Sequence, residues 1–146
     1  MNTNIIFLSL LPILSIFLAR VLNLNKVFNY AVPIIIYLII FAALFNVSPS
    51  EISNTFLLIN NSQINLLFNF TNSYTLMSKI VLIVSILVLL YSSKFMNSES
   101  SRAHSRYFLC LVVFITSMFL FTLSNDLFSG FIFWEILGLS SYFLIG

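Results

Sequence analysis

The sequence predicts an all-α polytopic membrane protein of about five transmembrane helices, with a short β-hairpin-like loop between the second and third. Three observations carry that prediction. The chain is 60% hydrophobic with a mean hydropathy of +1.09, more apolar surface than a soluble domain of 146 residues needs. Its apolar residues fall into runs long enough to cross a bilayer, parted by polar connections. Its charged residues, only 7% of the chain, sit in those connections, with Lys79 and Glu135 as the exceptions.

The first span covers residues 4–19 and ends at Arg20. Pro12 in its middle removes one backbone donor and is expected to kink it. The run lacks a basic start and a small-x-small cleavage site, so it reads as a retained span rather than a signal peptide. The second span covers 27–45, with Pro33 near its start. Arg20 and Lys26 flank the turn VLNLN between them, which makes the pair a helical hairpin.

Residues 46–73 form an external loop. Within it TFLLI and INLLFNF flank the turn-rich tetrad NNSQ, as in a β-hairpin lying at the membrane face. The strands read as apolar blocks more than as strict alternation, so an interfacial loop or helix remains the alternative. The N-x-[ST] matches at Asn46, Asn60 and Asn69 read as chance in an asparagine-rich chain.

The third span, 74–91, carries Lys79 five residues inside its start, about 7 to 8 Å deep. From there its stem reaches the interface by snorkelling, or it faces a partner subunit; a role in ion transfer is the weaker reading. Residues 92–106, SSKFMNSESSRAHSR, form an internal polar loop in which His104 reads as a solvated histidine. The fourth span, 107–123, has Thr116, Ser117 and Thr122 as mild polar relief. Ser124, Asn125 and Asp126 turn the chain into the fifth, 126–146.

Charge placement sets an orientation. Arg20, Lys26, Lys94, Arg102 and Arg106 fall in the first and third connections, whereas the other two hold Glu51 and Asp126 and no lysine or arginine. The positive-inside rule then puts the N-terminus and hairpin outside and Gly146 inside. The lone cysteine, Cys110, excludes an internal disulfide and a multi-cysteine metal site, and reads as inert packing. Basic clusters for nucleic acid and glycine loops for phosphate are missing from the sequence, and no metal-ligand or cofactor-binding pattern appears.

Glu135 is the principal candidate site residue. It lies about 14 Å along the fifth span from Asp126, near the bilayer midplane. A carboxylate there costs about 2.5 to 3.5 kcal/mol on insertion scales, so it must be paired, hydrated or protonated. On a helix it shares a face with Gly138 and with Ser141 or Tyr142, small and polar enough for a close neighbour or a water file. The chemical reading is proton handling; the bland one is a glutamate that holds two helices together. Lys79 starts its span from the same side with an axial offset of roughly 6 Å, which leaves direct pairing open.

These residues also carry a resemblance. FWEILGLSSYFLIG at the C-terminal end resembles the WEGVGLxSYLLIG signature of NADH dehydrogenase subunit 5, the largest antiporter-like membrane subunit of respiratory complex I. Arg106-Tyr107-Phe108 resembles that family's RF start of the fourth helix, the Ser124 turn its ADN turn, and YSSKFM at 91–96 its Y-S-x-x-Y-M exit from the third helix. The likeness is strong from about Tyr74 onward and topological before it.

The resemblance implies a proton-translocating subunit of NADH:ubiquinone oxidoreductase in the mitochondrial inner membrane, N-terminus towards the intermembrane space and C-terminus towards the matrix. It implies that Glu135 is the fifth-helix acid whose charge is coupled to a lysine on the seventh helix, which lies beyond Gly146. A split or truncated subunit is therefore expected, the split form with a second chain carrying the remaining helices being the favoured reading. The other partners expected are the membrane-arm subunits of complex I and membrane lipids. NADH, FMN, iron–sulfur clusters and ubiquinone are expected elsewhere in the complex, and no redox chemistry in this chain. Departures are local: Ile136 and Leu137 are bulkier than the family's residues after the acid. Thr71 replaces an acid at the start of the third helix and Leu89 a histidine near its end, so no third-helix proton route carries over. A multisubunit cation/proton antiporter subunit and a purely structural scaffold are the alternatives.

Overall fold

A computed structural model describes residues 2–22, 26–46, 51–59, 62–98 and 100–145. Five helices and a two-stranded hairpin follow one another: α1 (Asn2–Val21), α2 (Lys26–Ala43), β1 (Glu51–Ile59), β2 (Ser62–Asn69), α3 (Asn72–Phe95), α4 (Ser101–Leu123) and α5 (Leu127–Ile145). The expected fold class is the observed one. Among the described residues α3, α4 and α5 are long and apolar enough to cross a membrane, while the apolar runs Leu8–Val21 and Phe28–Ala43 are shorter.

The bundle is built on α4, which packs against α1, α2, α3 and α5. Half of its most apolar window is buried, against 28% for α3 and 11% for α5. Phe108, Val112, Ile115, Phe119 and Leu123 line its inner side and meet Ile16, Tyr37, Ile40, Leu82 and Leu89 from the other helices. Polar groups in this interior are answered locally. Tyr37 is fully buried, and its hydroxyl lies 3.3 Å from the Val112 carbonyl and 3.0 Å from Thr116 Oγ1. Thr116 donates in turn to the Ser9 carbonyl at 3.3 Å, so three helices are tied at one point. Asn29 contacts His104 and Ser105, so α2 and α4 run in the same direction. Ser78 meets Thr122 at 3.0 Å, so α3 runs opposite to them.

The helices run through their prolines. Pro12 lies within α1 and Pro33 within α2, both buried. Pro33 has no N–H for the Asn29 carbonyl one turn earlier, a loss the surrounding helix packing tolerates. The hairpin is antiparallel, with Glu51 opposite Asn69, Ile59 opposite Ser62, and a bulge between Thr55 and Leu57. The strand pairing reaches into the NNSQ tetrad, because Ser62 and Gln63 pair with Ile59 and Leu58; Asn60 and Asn61 lie outside the described residues. At the base Phe68 bridges to Ser124 and its ring stands 6.0 Å from that of Phe133, while Phe68 and Phe70 are buried. The hairpin is thereby seated on the turn between α4 and α5, to which the Tyr74 hydroxyl also donates, 3.1 Å from Asn125 Oδ1.

The polar loop expected at 92–106 is mostly helical. α3 continues to Phe95, a 3₁₀ turn spans Met96–Ser98, and α4 starts at Ser101. Ser100 is the physical cause of the early start: its side chain accepts from the Ala103 amide at 3.4 Å and caps α4. The change moves His104 from a loop into a helix, and it is 1% exposed rather than solvated.

α5 begins with an acidic cap. The Ser129 amide donates to Asp126 Oδ2 at 2.9 Å, the Ser129 hydroxyl donates to the other carboxylate oxygen, and the Gly130 amide donates to the Asp126 carbonyl at 3.0 Å. A cap of this kind contributes about 1 kcal/mol. Asp126→Ala is therefore expected to lower amide protection over the first turn of α5 by about fivefold. Hydrogen exchange at Ser129 and Gly130 measures it, with Asp126→Asn retaining most of the protection.

Candidate functional site

α5 is held by a narrow stripe. Ser129 and Ser140 are buried, and Phe133 and Leu144 are half-buried against the core. At about 100° per residue Glu135 lies roughly 140° round the helix from Ser140, on the side turned away from α4. The structure places it so: Glu135 is exposed, as are Gly138, Leu139 and Tyr142 around it. A methyl group added at Gly138 would meet no atom within 4 Å, so this face of α5 is bare in the described chain. The Ser141 hydroxyl donates to the Gly138 carbonyl at 2.7 Å, and Ser140 to the Leu137 carbonyl at 2.9 Å. Both protons are thus held within the helix, and Glu135 is left as the carboxylate of a face it shares with Tyr142.

Beside the acid, Trp134 is 60% exposed and lines an open cleft of about 500 Å³. The cleft runs from the Asp126 turn past Gly130 and Phe131, with Tyr74 and Phe121 on its other side. Its walls are mainly apolar, with Tyr74, Phe121, Phe131 and Trp134 among them, so it suits an apolar occupant better than a file of water.

Lys79 is in a different place. Its ammonium lies 4.3 Å from the centroid of the Phe45 ring, just beyond the end of α2, and the residue is half-buried. A cation over an aromatic face is stabilised by about 0.5 to 2 kcal/mol. α5 packs against α4 and touches β2, so the structure does not bring Lys79 and Glu135 together. Among the described residues no cation faces Glu135.

Sequence reasoning missed a polar line inside the bundle. Asn29 Nδ2 donates to His104 Nδ1 at 3.2 Å and to Ser105 Oγ at 3.0 Å. The ring also packs on Phe108, centroid to centroid 4.7 Å. About 18 Å further along α4 stands the Tyr37, Thr116 and Ser9 cluster. Phe108, Leu111 and Val112 are buried between them, which makes two separate stations rather than a continuous proton wire. The available signal was the spacing of Asn29 and Tyr37, eight apart on one side of an otherwise apolar helix. Cys110 is a half-buried free thiol, and the described residues contain no cluster of three or more His, Cys, Asp or Glu.

Comparison with known proteins gives this geometry a context. No family profile matches the chain. Over 82 residues, 56% of its length, it is 37% identical to NADH-ubiquinone oxidoreductase chain 5 of Caenorhabditis elegans. Over 129 residues, 87% of its length, it is 33% identical to the chloroplastic NAD(P)H-quinone oxidoreductase subunit 5 of Adiantum capillus-veneris. Its relatives are subunit 5 proteins. The chain spans only 15% of the length of the nematode relative and 17% of that of the fern relative. Among solved structures it superposes with a TM-score of 0.81 on a chain of the Mrp complex from Dietzia sp. DQ12-45-1b. That likeness covers 98% of this chain and 15% of the other at 21% identity, and it establishes the shared fold. With subunit 5 proteins as relatives and apolar helices throughout, the chain is a multi-pass membrane protein.

The bare face of α5 has a direct optical test, because Trp134 is the chain's single tryptophan. Brominated phospholipid is expected to quench most of its emission when the chain alone is reconstituted. The strongest quenching is expected from bromines at the depth of Trp134, about 12 Å from Asp126. An unquenched Trp134 would mean that this side of α5 is covered.

Proposed function

We propose that the chain forms part of a proton-translocating, antiporter-like subunit of a respiratory NADH:ubiquinone oxidoreductase, and that Glu135 is its switch acid. The observation that carries the reading is the acid's position: mid-span on an apolar helix, on a bare face, with no described cation opposite. Such a group is stable in a bilayer only when a counter-charge or water answers it. On this reading the answer is a lysine on a second chain that carries the remaining helices of the subunit, within a membrane arm of further subunits. The setting is the mitochondrial inner membrane, with the basic end of the bundle in the matrix.

The chemistry follows from the two opposing effects on a buried carboxylate. Burial favours the protonated form and an approaching cation favours the charged one, so moving the cation loads or releases a proton. A shift of one unit in pKa changes proton affinity about tenfold, which is enough for a two-state helix pair to bias transfer. The redox partners NADH, FMN, iron–sulfur clusters and ubiquinone belong to other subunits on this reading. Lys79, engaged with Phe45, acts as an anchor near the hairpin rather than as the counter-charge.

A second reading, a subunit of a multisubunit cation/proton antiporter, is supported by the fold shared with the Mrp complex chain. It differs in what drives transport: sodium rather than quinone turnover. The deciding experiment is Glu135→Gln in the assembled complex. Proton yield per NADH oxidised is expected to fall while assembly and NADH oxidation by the isolated redox arm are unchanged, and Glu135→Asp is expected to keep part of the yield. Full pumping with glutamine would reduce Glu135 to a helix contact, and sodium-dependent transport without quinone dependence would select the second reading.

A further inference from the structure

Every basic residue except Lys79 lies towards the end of the bundle where α1 and α3 finish and α2 and α4 begin. Two of them form a pair. Arg102 and Arg106 are four residues apart on α4, so one turn separates them on a single stripe of that helix, and both are exposed. Further along the same stripe the side chains become apolar and half-buried, at Leu109, Cys110 and Val113. Arg106, Leu109 and Cys110 line, with Phe143 of α5, a cavity of about 420 Å³. The Arg106 side chain therefore stands at the mouth of an apolar slot between two membrane-spanning helices, with Arg102 one turn further out on α4.

Depth orders these groups in the same way. Arg106 is about 7 to 8 Å from the start of α4, within reach of the interface through its stem, whereas Leu109 and Cys110 are about 12 to 14 Å in, at the level of acyl chains. Phe143 enters from the last turns of α5 and is largely exposed, so the slot opens towards lipid. The first turn of α4 adds the partial positive charge of its amides on the same side. Glu99, the nearest acid in sequence, lies outside the described residues.

We propose that this slot binds one anionic phospholipid, its phosphate held between Arg102 and Arg106 and one acyl chain laid against Leu109, Cys110 and Phe143. Charge complementarity selects the headgroup, and the apolar slot selects a lipid over free phosphate. The site is independent of Glu135, which faces away from α4, so it stands or falls apart from the proton-transfer reading. Bound lipid of this kind seals the seam along which α5, the least buried of the long apolar helices, meets α4.

The test uses the assembled complex in phosphatidylcholine nanodiscs doped with phosphatidylglycerol that carries a photoreactive group in one acyl chain. Crosslinks are expected on Leu109, Cys110 and Phe143, and a phosphatidylcholine probe of the same design should give far fewer. Arg102→Gln with Arg106→Gln is expected to lower the phosphatidylglycerol crosslink at sub-saturating lipid by about thirtyfold, the effect of two basic residues at a membrane surface. Arg102→Lys with Arg106→Lys should restore most of it, which separates loss of charge from loss of fold. Equal labelling by both probes, labelling unaffected by the glutamine pair, or failure of the lysine pair to restore it would each overturn the proposal. So would release of a neighbouring protein subunit by the glutamine pair with lipid labelling unchanged.

Discussion

Hydrocarbon offers no hydrogen bonds, so a chain that crosses it must answer its own polar groups, and the arrangement here follows from how α4 does so. α4 supplies a carbonyl and a hydroxyl to Tyr37 of α2 and, through Thr116, a donor to the Ser9 carbonyl of α1. It supplies Thr122 to Ser78 of α3, and His104 and Ser105 to Asn29 of α2. Each such bond is individually small, about 0.6 kcal/mol where similar pairs have been measured in membranes. Their effect is to fix register: a slip of one turn would carry each donor about 5.4 Å from its acceptor and leave it in oil. Apolar packing around Phe108, Ile115 and Phe119 then fills the spaces between helices whose relative heights are already set.

Most of the architecture was legible because bilayer thickness imposes a length on each apolar run and charge marks the breaks. The hairpin was legible too, from NNSQ between apolar blocks, although its strand pairing reached further into the tetrad than turn chemistry alone indicated. The connection before α4 was misread because composition was taken as conformation. SSRAHSR is polar enough for a loop, yet serine, alanine and arginine all sit well at the start of a helix, and Ser100 provides the cap that starts it. His104 was misread with it, since its burial depends on Asn29, a residue 75 positions away. Long-range partners of this kind leave no mark in the local sequence. Glu135 was conspicuous for the opposite reason: an acid in the middle of an apolar run is visible without knowing any of its neighbours. What the residue pattern left open was its direction, and only the packing of Ser129 and Ser140 against α4 shows that it points away.

The three sides of α5 carry three different kinds of chemistry. The side with Ser129, Phe133 and Ser140 carries two small hydroxyl residues about one aromatic ring and meets α4. The flank with Phe143 forms the slot below Arg106. The side with Glu135, Gly138 and Tyr142 is exposed, and a methyl group at Gly138 would meet no atom of the described chain within 4 Å. A helix whose only purpose was to add bulk to the bundle would bury its largest apolar residues and turn serines outward. α5 does the reverse, burying Ser129 and Ser140 and exposing Phe131, Trp134, Leu139 and Phe143. Small residues against α4 allow close approach, and the large side chains that remain are those a lipid or a neighbouring helix would cover.

This inversion bears on the acid itself. A glutamate facing α4 would have stood in the packed seam that Ser129, Phe133 and Ser140 form with the core. It could have been neutralised there and remained so, because a packed core rearranges little. On the outer face, next to a glycine that leaves room for a close neighbour, its charge state is set by whatever approaches. An ionisable group whose partner can move is able to couple proton affinity to conformation. One whose partner is fixed within the same packed core is only a contact. The placement of Glu135 on the side of α5 that the described chain does not cover is what makes a switching role physically available to it.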